Sequence, residues 1–205
     1  MFPHKLTRFC LSIIWHLILV INVPKMEAAP ANLSLKKGDR ITLVGAGMGS
    51  RMIHYGHLET ELYLRFPLKD LTIRNLCDEG NTPGFRPHPG RGQGGQYAFP
   101  GAQELISQKL KAGSGPNGHF ETSDQWLTRL KTDVIIAFFG FNSSFDGVGE
   151  LGRFKKELDA FLKHTLAQKY NGKSAPRLTL VSPTAVQTTK GVTDGVQQNT
   201  NLILY

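Results

Sequence analysis

Apolar residues recur along this chain in two alternating patterns, short unbroken runs and longer stripes spaced by three or four positions. The runs at residues 40–44, 71–76, 134–139 and 177–181 predict four strands. The third, Val-Ile-Ile-Ala-Phe-Phe, has no polar alternation, as expected of a strand buried on both faces of a parallel sheet. Met52, Tyr55, Leu58, Leu62 and Phe66 predict a helix over residues 50–65, and Phe154, Leu158, Phe161, Leu162 and Leu166 predict another over 151–168. Shorter helices are expected over 102–111 and from Ser123 or Asp124 to Leu130. Asn199 or Thr200 reads as the cap of a last one, before Leu202, Ile203, Leu204 and Tyr205. Strands alternating with helices imply right-handed crossovers, hence an α/β fold: a three-layer α/β/α sandwich with a mainly parallel, flavodoxin-like sheet.

One segment resists both patterns. Residues 77–101 include Gly80, Pro83, Gly84, Pro87, Pro89, Gly90, Gly92, Gly94, Gly95, Pro100 and Gly101, too many breakers for regular structure. A loop this long predicts a lid or substrate-binding segment, with a plain surface insertion as the alternative. An apolar helix start at residues 202–205 with nothing after it suggests that further secondary structure follows in a longer protein.

The first residues carry a different signal. Lys5 and Arg8 precede the apolar run 11–23, which is followed by Pro24 and the small residues Ala28, Ala29 and Ala31. A positive flank, a short apolar stretch and small residues in that order predict a signal peptide over 1–29, export to the periplasm or beyond, and one domain over 30–205. An uncleaved anchor giving membrane proximity is the alternative. Cys10 lacks the small-residue context of a lipoprotein site. Removal of the leader would leave Cys77 as the only thiol, so no intrachain disulfide is available. It would also lower the formal charge from +8 to +6, because residues 1–29 hold three basic side chains and one acidic one. The remaining basic residues are scattered without interleaved aromatics, which argues against a nucleic-acid partner.

In parallel α/β sheets ligands bind beyond the carboxyl ends of strands, so chemistry is expected just after each run. Three places qualify: residues 45–50, 77–82 and 140–144. With Arg74 to Thr82 (RNLCDEGNT) and Phe138 to Ser144 (FFGFNSS), supported by Trp126-Leu127 and Val181-Ser182-Pro183, the chain resembles the SGNH (GDSL-type) hydrolases from about residue 38 to 205. The resemblance implies action on ester bonds, such as acetyl esters of carbohydrates, without a cofactor or metal. It puts Gly80 on the family's second-block glycine and Asn142 on its third-block asparagine. A backbone N–H beside a glycine and a side-chain amide are donors suited to a developing oxyanion. Ser50, Asp78 and Ser143, flanking these positions, are the expected substrate contacts.

The first block departs from the family. Its Gly-Asp-Ser would fall on Gly45, Ala46 and Gly47, so glycine occupies the nucleophile position. Ser50 lies about one helical turn further on, roughly 5 Å away, and reads better as a helix residue than as a substitute nucleophile. The family's Asp-x-x-His block would lie beyond Tyr205. A non-catalytic carbohydrate-binding domain is therefore one alternative. A second is a dinucleotide binder, with Gly45-x-Gly47-x-x-Ser50 around the phosphates and Asp78 on a ribose. Asp78 stands further from Gly45 than that motif usually places its acid, and export would remove the protein from the nicotinamide pool. Cys77, beside Asp78 and Glu79, is expected to be buried and inert. His54, His57 and Glu61 share metal-compatible spacing, but structural histidines are the expected reading.

Overall fold

The computed structural model describes residues 33–89, 95–105, 121–191 and 193–205. The expected leader lies outside these residues, as does most of the helix expected over 102–111.

In chain order the elements are β1 (Arg40–Gly45), α1 (Gly47–Arg51), α2 (His57–Arg65), β2 (Thr72–Asn75), β3 (Phe85–Arg86), β4 (Gln96–Tyr97), α3 (Ser123–Arg129), β5 (Val134–Phe138), α4 (Phe141–Ser144), α5 (Leu151–Ala167), β6 (Arg177–Val181) and α6 (Gly195–Leu202). β2, β1, β5 and β6 form a four-stranded sheet in that order, every pair parallel. The two-residue strands β3 and β4 form a separate antiparallel pair. The order steps outward from β1 to β2 on one side and from β5 to β6 on the other. A topological switch point therefore falls between β1 and β5, where α/β folds open a crevice.

All five residues of β5 are buried, and alternate side chains divide between two cores. Ile135, Ala137 and the following Phe139 pack with Phe154, Phe161 and Leu127 from α5 and α3. Val134, Ile136 and Phe138 pack with Leu43 and Ile73, and against Met52, Leu58 and Leu62. Two cores on opposite faces of one parallel sheet make the three-layer α/β/α arrangement expected from the sequence.

Local chemistry explains most element boundaries. Thr122 caps α3 in a capping box: its hydroxyl accepts from the Gln125 N–H, and the Gln125 side-chain oxygen accepts from the Thr122 N–H. The four main strands lie where the apolar runs predict them, and α5 matches its stripe closely. Three expectations need correcting. The helix expected over 50–65 is broken: α1 passes into a 3₁₀ turn at Met52–His54 and stops, Gly56 takes φ +61°, and α2 starts afresh at His57. His54 and His57 thus belong to different elements, with the Tyr55 ring stacked on His57. The last helix starts earlier than Asn199 or Thr200, because the Asp194 carboxylate accepts from the Val196 and Gln197 N–H groups and caps α6 there. Finally, the glycine- and proline-rich stretch expected to lack regular structure contains the β3–β4 pair, and Phe85 and Phe99 within it are buried.

The segment is fastened by Glu157, a carboxylate of α5 that is only 1% exposed. Its Oε1 accepts from the Thr82 hydroxyl and, at 2.6 Å, from the Gly84 N–H, while Arg153 lies 3.9 Å from Oε2. A buried carboxylate needs such partners, since desolvation without them costs several kcal/mol.

Candidate functional site

Three strand exits converge beside the switch point, and each is shaped by a close backbone approach. β1 leaves through Gly45 at φ +123°, where any Cβ would overlap the Phe138 carbonyl of β5. The Ala46 N–H donates to that carbonyl at 2.8 Å, and α1 begins at Gly47. β2 leaves through Asn75, whose side chain donates to Gly49 O at 2.7 Å and accepts from the Cys77 N–H at 2.9 Å. The Asp78 N–H then donates to Gly45 O, and Gly80 turns the chain at φ +77°. β5 leaves through Gly140 into α4, which carries Asn142.

Gly47, Gly80 and Asn142 line one cleft of about 580 Å³, together with Met48, Arg51, Glu79, Phe141 and Thr184. The Asn142 Nδ2 donates to Asn81 O at a long 3.4 Å. Among the described residues, the N–H groups of Gly47 and Gly80 have no hydrogen-bond acceptor. The Gly47 Cα looks onto open space: a Cβ there would have no neighbour within 4 Å. Arg51 and Glu79 pair at 2.6 Å, both largely exposed. The cleft therefore offers hydrogen-bond donors and an apolar wall of Met48 and Phe141, with no hydroxyl at position 47.

The other sequence candidates are engaged elsewhere. Ser50 is a helix residue whose hydroxyl donates to Gly47 O at 3.0 Å. The Asp78 carboxylate accepts from the Glu79 N–H at 2.8 Å. Ser143 is buried, at 7% exposure. None of the three is among the residues that line the cleft. Desolvation, reinforced by the charge of Asp78, pushes the Cys77 thiol well above the usual cysteine range. Its sulfur packs against Gly49 so closely that a Cβ at residue 49 would overlap it. A thiol so placed is a poor nucleophile. No cluster of three His, Cys, Asp or Glu side chains able to share a metal occurs among the described residues.

Sequence reasoning missed Arg51, Glu79 and Thr184, because surface charges and a loop threonine carry no periodic signal. It also missed a second hollow on the α3 and α5 side of the sheet. There Asp124 accepts from the His164 ring at 2.8 Å and from the Tyr170 hydroxyl at 2.7 Å, and Phe99 stacks on His164. Burial and the neighbouring Asp124 carboxylate raise the Tyr170 phenol well above its ordinary range. Arg86 borders the same hollow and is shifted downward by burial, an effect that Asp78 opposes.

No family model matches the sequence, and no curated protein matches it. Among solved structures, a gut microbial diltiazem-metabolizing enzyme is similar over 83% of this chain and 33% of its own, with 12% sequence identity and a TM-score of 0.48. The chain thus spans about a third of that protein's length. A likeness of this degree bears on neither activity nor substrate.

Proposed function

We propose that this chain is an exported SGNH-type domain that binds the acyl portion of ester ligands in the cleft at the switch point, and that Gly47 leaves it without the attacking hydroxyl of an ester hydrolase. The observation that carries the reading is the meeting of Gly47, Gly80 and Asn142 in one cleft beyond three neighbouring strands. The Gly80 N–H and the Asn142 amide would hold the ester carbonyl oxygen, as donors do in oxyanion holes. Acetylated carbohydrates fit as ligands because Met48 and Phe141 offer an apolar wall, with Arg51, Glu79 and Thr184 as polar partners for sugar hydroxyls. The dinucleotide alternative loses support from Asp78, whose carboxylate accepts from the Glu79 N–H and does not line the cleft.

The test is an NMR titration of the full chain with acetylated xylobiose, paired with p-nitrophenyl acetate hydrolysis. Shifts centred on Gly80 and Asn142, lost in Asn142→Ala, with hydrolysis at the uncatalysed rate, are expected. Shifts elsewhere, or saturation of the cleft by micromolar NAD, would overturn the reading. Hydrolysis that Asn142→Ala lowers at least tenfold would show that the cleft catalyses after all and that Gly47 is not its deficit.

A further inference from the structure

Asn81 separates the cleft from the hollow on the α3 and α5 side of the sheet. The residue is only 5% exposed, and it borders a hollow that offers about 30 Å³ to water-sized occupants. Most of the surrounding wall is apolar, formed by Val44, Leu76, Ala98, Phe139 and Phe161. The Asn81 Nδ2 donates to Gly45 O at 3.1 Å. That bond fixes the amide orientation, because the reverse would set two carbonyl oxygens against each other. Oδ1 is then left buried, and it has no hydrogen-bond partner among the described residues. Native proteins rarely leave a buried acceptor unpaired.

We infer that this cavity is a binding site for one or two water-sized hydrogen-bond donors, held by Asn81 Oδ1. The size fits: about 10–15 Å³ of such space holds one water, so this cavity holds at most two or so. The chemistry fits as well, because Arg86 and His164 also border the cavity and can supply the further polar partners that an internal water requires. An apolar ligand would leave Oδ1 unpaired. The site matters to the cleft because the Asn81 backbone carbonyl accepts the Asn142 amide.

The inference stands apart from the ester-binding reading, since occupancy is observed directly. A crystal structure of the full chain at a resolution that shows ordered solvent is expected to place a water within hydrogen-bonding distance of Asn81 Oδ1. Crystals under xenon pressure are expected to show no xenon there, because xenon enters dry apolar cavities. In solution, long-lived water is expected to give cross-relaxation to the Ala98 methyl protons. A dry cavity, xenon within it, or a protein donor on Oδ1 would overturn the inference whatever the cleft binds.

Discussion

On one side of Asn81 lies an open cleft whose polar groups are loosely held: a 3.4 Å bond from the Asn142 amide and two glycine N–H groups without acceptors among the described residues. On the other side, Asn81 Oδ1 excepted, polar groups are tightly held. Glu157 receives the Thr82 hydroxyl and the Gly84 N–H, and Asp124 receives both His164 and Tyr170. The difference teaches which region serves stability and which is available to a ligand. Satisfied buried networks rigidify a core, whereas donors left without acceptors retain their capacity for an incoming oxygen.

Substitutions can break this contrast, and their expected effects decrease in order. Phe161→Ala removes a ring packed edge-on against Phe139 in the core and is expected to lower unfolding free energy by about 4 kcal/mol, read by denaturant titration. Glu157→Ala leaves the Thr82 hydroxyl and Gly84 N–H without their buried acceptor. A loss of about 3 kcal/mol is expected, together with faster amide exchange across residues 82–86. If exchange there is unchanged, Glu157 does not fasten the segment.

Two glycines two residues apart sharpen the comparison. Gly49→Ala pushes a methyl into Cys77 and Phe138 and is expected to cost about 2 kcal/mol. Gly47→Ala meets open space and is expected to change stability by less than about 1 kcal/mol. Equal losses at both positions would mean that the surroundings of Gly47 are not open.

The smallest expected effect is a pH response. Cys77 and Tyr170 both have their ionisation pushed upward in the folded state. Each stays neutral when folded but ionises when unfolded, so their contribution is full below the unfolded values, 9.0 for the thiol and 10.0 for the phenol, and is lost as pH rises beyond them. Thermal melts from pH 8 to 11 are expected to show a falling midpoint, with a shallower fall in Tyr170→Phe. Alkylation of Cys77 by iodoacetamide at pH 8, followed in a Cys10→Ser background, is expected to run at least tenfold slower than in the unfolded chain.

Much of the fold was legible because buried strands and a two-sided helix leave strong apolar patterns. The run 134–139 read as a strand covered on both faces, and the stripe of α5 gave its core side through Phe154 and Phe161. The break at Gly56 was not legible, since Met52, Leu58 and Leu62 keep helical spacing across it and all reach the same core. The cap of α6 was hidden by the polar stretch that follows Asp194. β3 and β4 are too short to carry any period. Within the site, the resemblance to the SGNH hydrolases, together with their places after strands, singled out Gly80 and Asn142, and both line the cleft, whereas Ser50, Asp78 and Ser143, expected as flanking contacts, do not line it.

Residue order alone determined the α/β class, the four parallel strands and the glycine at position 47, because those depend on local pattern and identity. Only tertiary structure decided that Gly47, Gly80 and Asn142 share a cleft, that Asn81 lies between it and a second hollow, and that Glu157 ties a breaker-rich segment to α5. Such relations join residues that are distant in sequence and depend on strand order and register, which no local spacing encodes.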